Sequence, residues 1–171
     1  MSAPLFHSAG LIWEEPADRL LESRDRFASI LAKWEGTRYM DGQRMAGFGT
    51  NCIGFGSAVL EEAYRMTKPV FERLPSDMAM HDREGAMSVM RRMMQHFPYV
   101  VSADGRVTFG DVIVTGESQG GPGHMIVVGC EPNQLWQATK SGGVRWTGMG
   151  LVHGSQQIVR IFNMQDKEAW A

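Results

Sequence analysis

Near residue 105 the hydrophobic pattern of this chain changes period, and that change limits the folds open to it. Upstream, apolar residues recur every three or four positions, as on one stripe of a helix. Leu20, Phe27, Leu31 and Trp34 form one stripe, with Asp18, Arg19, Glu22 and Asp25 largely off it. Pro16 suits the first turn of that helix and Gly36 its end. A second stripe runs through Cys52, Phe55, Gly56, Val59, Leu60 and Ala63, away from Glu61, Glu62 and Arg65, until Pro69 and Pro75 break it. A third, Met87, Met90, Met94 and Phe97, predicts a helix over 82–96. Downstream, "RVTFGDVIVT", "HMIVVGC", "QLWQAT", "GGVRWTG" and "QQIVRIFNM" are short, rich in β-branched and aromatic residues, and parted by Gly, Pro, Asn and Ser. They predict antiparallel strands joined by turns. Helices first and strands afterwards predict an α+β fold with helices packed on one face of a sheet.

The 171 residues suit one domain over 16–171, preceded by an irregular arm at 1–15. With 43% hydrophobic and 21% charged residues the chain reads as globular. A formal charge of −2 offers no basic footprint and argues against nucleic acid as a partner. No apolar run approaches the roughly 18 residues of a membrane span. The opening "MSAPLFHSAGLIWEEP" has neither a basic start nor a sustained apolar stretch, so a protein made in the cytoplasm without a cleaved signal is expected. Two cysteines make no disulfide framework and suit a reducing compartment. The 13 methionines read as adaptable core filler.

One cysteine has an unusual setting. In "FGTNCIGF", Cys52 follows the glycine-rich loop 36–51 and heads the second helix. Unpaired N–H groups and the dipole at a helix start stabilise a thiolate, and neighbouring glycines leave room for a carbonyl. The same pattern also fits a buried structural thiol. A cysteine nucleophile needs a base that can later protonate a leaving amine, which points to histidine. His124 opens the strand "HMIVVG", with Ile126 and Val128 on its side and Met125 and Val127 on the other. A third group should orient the imidazole. Gln137, between Trp136 and Ala138 on the next strand, can do so through its amide oxygen, without the charge of a carboxylate.

The other candidates are weaker. Cys130 reads as a packed or turn thiol, His81 and His96 as surface or capping residues, His153 as a turn residue, and His7 as part of the arm. Arg91 and Arg92 read as ordinary helix-surface charge. No Cys–His spacing suggests zinc, and "GESQGGPG" is followed by no Lys-Ser/Thr pair, so neither a metal nor another cofactor is expected.

Taken together, "WEGTRYMDG", "GTNCIGF", "GDVIV", "GHMIVVG" and "LWQAT" with "GGV" resemble, in order, the motifs of the NlpC-type cysteine peptidases, a bacterial branch of the papain fold. The resemblance runs from about Trp34 to Val144. It implies a papain-like NlpC fold, Cys52 as nucleophile, His124 as base, and Gln137 in place of the family's usual orienting histidine. It implies that Tyr39, the tyrosine of the "GTxY" segment, helps stabilise the oxyanion, and that Asp111 holds the turn before the first strand. The family commonly has Asp before and Ser after the cysteine, where they help hold the substrate's free amine. Here Asn51 and Ile53 take those substrate-binding places, removing a carboxylate and a hydroxyl.

The implied activity is that of a cysteine endopeptidase cleaving an amide bond in peptidoglycan stem peptides. Family members without a signal peptide occur as tail proteins of phages or gene-transfer particles. A virion tail location is therefore expected, with tail or baseplate partners contacted through 1–15 and 66–106; otherwise the protein is cytoplasmic. Two other readings stand beside it: a tail or assembly protein that keeps the fold without catalysis, and an amidase or acyltransferase acting on a small substrate.

Overall fold

The computed structural model describes residues 11–14, 21–70, 91–97, 106–115, 124–148 and 158–162. The arm, most of the 66–106 segment, and His7, His81 and His153 lie largely or wholly outside the described residues. The elements in chain order are β1 (Ile12–Trp13), α1 (Leu21–Trp34), β2 (Arg44–Met45), β3 (Gly49–Thr50), α2 (Cys52–Ala63), β4 (Arg106–Val107), β5 (Val112–Thr115), β6 (His124–Val128), β7 (Gln134–Thr139), β8 (Gly143–Gly148) and β9 (Ile158–Phe162). Residues 91–96 are also helical. The fold is α+β.

Five strands form one sheet in the order β8-β7-β6-β5-β9, every neighbour antiparallel. Side chains alternate across a strand, so the register sorts them into two layers. Val112, Met125, Val127, Trp136, Ala138 and Val144 join Phe27, Leu31, Trp34, Phe55 and Val59 in the main core. Ile113, Ile126, Val128 and Leu135 meet Leu11, Val107 and Trp13 on the other side. That second layer is supplied by β1 and β4, which pair in parallel, Ile12 beside Arg106 and Trp13 beside Val107. The helices thus cover one face, as the period change predicts, and the short parallel pair of β1 and β4 covers part of the other, which the pattern did not reveal.

α1 packs on α2 through the stripe Phe27, Ile30, Leu31 and Trp34, all buried. Trp34 meets Phe55 edge-on, with ring centroids 5.7 Å apart. Arg26 crosses to the end of α2 and donates to the carbonyls of Glu62 and Ala63 at 2.8 and 2.9 Å, adding to the bond that the Glu62 carbonyl accepts from the Arg65 N–H. α2 is buried nearly all round, and burial of Phe55 alone contributes about 2–3 kcal/mol.

Glu61 departs from the sequence pattern, which places it off the buried stripe. It is buried, paired with the Arg44 guanidinium, and accepts the Val70 N–H. A carboxylate this enclosed needs such partners, since an unpaired buried charge is costly. The pair ties the loop before α2 to the chain after it. That loop, 36–51, is more ordered than its four glycines suggest. It folds back as the β2–β3 ribbon, Arg44 opposite Thr50, and Tyr39 forms a bridge to Thr50.

Candidate active site

The start of α2 is fixed by its neighbours in sequence. Asn51 is the N-cap: its backbone is extended and its Oδ1 accepts the Gly54 N–H at 2.8 Å. An amide cap satisfies one orphan donor of the first turn and is worth about 1 kcal/mol. The Asn51 Nδ2 has no hydrogen-bond partner among the described residues. Cys52 is the first residue of the helix and is 7% exposed. Asn51 and Ile53 are each 1% exposed. The two positions expected to line a substrate subsite therefore serve as helix cap and core residue, and a ligand could touch their side chains only if the helix start opened.

The loop brings Tyr39 alongside this start. Met40 N–H donates to the Thr50 carbonyl at 2.8 Å and Thr50 N–H to the Arg38 carbonyl at 3.0 Å. The half-buried Tyr39 ring packs on the core that contains Cys52. Thr37 locks the loop from below. Its hydroxyl accepts the Gly47 N–H at 2.8 Å and its carbonyl accepts the Val144 N–H at 2.8 Å. Gly143 makes that approach possible: a Cβ there would overlap the Thr37 carbonyl oxygen, and its φ of +64° disfavours any side chain.

On the sheet, His124 opens β6. Its Nε2 lies 3.0 Å from the Gln137 Oε1, and the Gln137 Nε2 donates to the Thr147 hydroxyl at 2.9 Å. This chain assigns a tautomer. With its NH2 directed to Thr147, Gln137 turns its carbonyl oxygen to the ring, and an oxygen can only accept. His124 Nε2 therefore carries the hydrogen, and in the neutral ring the lone pair is on Nδ1. Burial pushes the His124 pKa below its ordinary 6.5, while the Gln137 bond pulls the other way. The half-buried ring is held neutral at physiological pH, the state a general base requires.

The two halves meet at the N-terminal end of β6. Gly56, one turn after Cys52, lies against Met125, the residue after His124, so closely that a Cβ on Gly56 would overlap the Met125 sulfur. Cys52 and His124 are thus one helical turn and one residue from a shared contact. Gln137 alternates with the buried Trp136 and Ala138 along β7, and Cys52 belongs to the same core as Met125. β6 pairs with β7 at Val127–Trp136 and Val128–Leu135, so His124 lies beyond that ladder while staying paired with Thr115 of β5. The structure brings His124 together with Gln137, and packs Tyr39 on the core to which Cys52 belongs.

Thr147 was not foreseen as a member of this group. Only the β7–β8 register, with Thr147 opposite Leu135, reveals it. Cys130 is a structural thiol: buried, it donates to the Arg24 carbonyl at 3.5 Å, and its pKa is pushed up to about 12, mainly by burial. Asp111 holds the turn before β5, one carboxylate oxygen accepting the Thr108 N–H at 3.0 Å. Burial raises its pKa well above the ordinary 3.8. Arg92 is more than surface charge, since its Nε donates to the Val70 carbonyl at 2.9 Å. His96 is exposed.

No protein-family model matches the chain, and no curated protein matches it either. Among the described residues, no three His, Cys, Asp or Glu side chains gather as metal ligands, and no helix is long and apolar enough to cross a membrane.

Proposed function

We propose that this protein is an NlpC-type, papain-like cysteine peptidase that hydrolyses an amide bond in peptidoglycan stem peptides, acting as a tail-associated wall hydrolase. The observation that carries the reading is the His124–Gln137–Thr147 chain. It holds the ring with hydrogen on Nε2 and lone pair on Nδ1, the form a thiol-activating base needs. Support also comes from Cys52 as first residue of α2, one turn from the Gly56–Met125 contact. In the proposed reaction, the Cys52 Sγ meets Nδ1 at the N-terminal end of β6 and gives up its proton to it.

The thiolate then adds to the scissile carbonyl. The Cys52 backbone N–H and the Tyr39 hydroxyl stabilise the oxyanion. Collapse breaks the C–N bond as Nδ1–H hands its proton to the leaving amine, which leaves a thioester. Water attacks that thioester, giving one proton to Nδ1; the proton returns to sulfur as the acid departs. A neutral Gln137 orients the ring but stabilises imidazolium less than a carboxylate would.

A second reading rests on a different observation. The thiol is 7% exposed. Burial this deep favours a tail or assembly protein that keeps the fold without catalysis. Turnover of purified peptidoglycan and of defined muropeptides, followed by mass spectrometry, separates the two. The peptidase loses at least about 10⁴-fold in rate on Cys52→Ala. Hydrolysis that survives this change removes the mechanism, and no hydrolysis by wild type favours the assembly protein. Cleavage of a small amide but of no stem peptide assigns the site to an amidase or acyltransferase instead.

A further inference from the structure

Among the described residues, the sheet has an open outer edge beside the loop that precedes α2. β8 ends the sheet and pairs with β7 from Gly143 to Gly148. On its other side, Val144 gives its N–H to the Thr37 carbonyl at 2.8 Å and accepts the Gly36 N–H at 2.9 Å. Backbone groups of alternate residues point the same way along a strand, so the N–H and C=O of Trp146 face outward like those of Val144. No described residue bonds to them, and the Trp146 side chain is 52% exposed. Such an edge is a template for a further strand.

Charge and shape suggest what that strand is. Residues 134–148 contain Lys140 and Arg145 and no acidic residue, in a chain of net charge −2. Arg145 and the nearby Arg38 are exposed and make no ion pair among the described residues. Met45 and Phe48, both exposed, flank the Gly47 that bonds to Thr37, which places apolar surface at the same end. We propose that the outer edge of β8 binds an extended, acidic polypeptide segment of another protein as an added strand. The segment bonds to Trp146, lays an apolar side chain on its ring, and sets its carboxylates near Arg145 and Arg38. A second copy fits worse, because pairing β8 with β8 brings the two Arg145 side chains of like charge onto one short ribbon.

The probe is an acetylated, amidated hexapeptide of alternating Glu and Val, titrated into the full chain while backbone amide NMR shifts are followed. The expected result is saturable shifts centred on Trp146 and Gly148, and binding at least about tenfold tighter than by the matching Lys–Val peptide. Trp146→Pro removes the outward N–H without touching the β7 ladder, since proline is tolerated at such an edge. It should weaken binding about tenfold, and Trp146→Ala, which keeps the N–H, should weaken it less. The surface pair Arg38→Glu with Arg145→Glu should also lose about tenfold, whether or not the proline variant folds. Equal binding of both peptides, no shift with either, or unchanged binding by Trp146→Pro and the charge variant overturns the proposal. A concentration-dependent dimer abolished by the charge variant or by Trp146→Pro overturns it too, giving the edge to a second copy.

Discussion

Cys52 and Cys130 are both buried, at 7% and 5% exposure, yet one opens a helix and the other follows a strand. Around Cys130 the chain offers a carbonyl and little else. The sulfur donates to the Arg24 backbone oxygen, while the Arg24 guanidinium is occupied by the Cys130 carbonyl and stands 3.7 Å from Glu131. Burial, helped by Glu131 and Asp25 and opposed by Arg24, pushes this thiol up to about 12. Around Cys52 the neighbours are the N–H groups of a helical first turn, a cap that takes only one of them, and a loop held down by Thr37. What surrounds a hidden sulfur, rather than how deeply it is hidden, decides what chemistry is open to it.

The largest expected contrast is in alkylation. A thiol near 12 holds about 1,000-fold less thiolate than one at the ordinary 9.0, so Cys130 should react with iodoacetamide about 1,000-fold more slowly than an unperturbed cysteine. Mass spectrometry after timed labelling at pH 8 should find Cys52 modified first. Preferential labelling of Cys130 in the folded protein would break the comparison.

The next effect is on stability, and it probes the Cys52 end. Gly143→Ala sets a Cβ on the Thr37 carbonyl at a left-handed φ, for a loss of about 3 kcal/mol. Hydrogen exchange should quicken in 36–51 ahead of the Arg24–Cys130 contact. Equal quickening in both places would mean that the two thiols do not sit in separately held regions. Arg24→Ala probes the other end and should cost about 1–2 kcal/mol in urea unfolding. Because Arg24 draws the thiol downward, its removal should leave Cys130 even less reactive.

The smallest effect concerns the imidazole. In NMR titration the His124 ring should protonate below 6.5, and Gln137→Glu should raise its midpoint by placing a carboxylate on Nε2. The sign for stability follows from the lowered value. The folded ring binds a proton less readily than the unfolded one, so stability is unaffected well above 6.5 and falls as pH drops from there toward the folded midpoint. A wild-type ring that titrates above 6.5 would remove the neutral base from the proposed reaction.

Much of this was legible in the residues themselves. The stripe through Phe27, Leu31 and Trp34 marks α1, the run from Cys52 to Ala63 marks α2, and the turn-bounded apolar runs mark β5 to β8, because burial imposes a period of 3.6 on helices and 2 on strands. Gln137 could be proposed as a partner for His124 because both fall on neighbouring strands with a plausible common side. Glu61 could not be read correctly. Its burial depends on Arg44, seventeen residues earlier, and on the Val70 N–H, and no periodicity encodes a partner supplied by a folded-back loop.

By itself, then, the order of residues determined the element types, the layer of helices over strands and the start of the second helix near Cys52, all of which are local consequences of hydrophobic period and turn chemistry. Tertiary structure alone decided that Thr147 turns the Gln137 amide, that β1 reaches β4 to cover the second face, and that Gly56 lets α2 settle on Met125. Those facts depend on strand register and on close approach between segments distant along the chain. No local propensity carries that information, because it exists only once the segments meet.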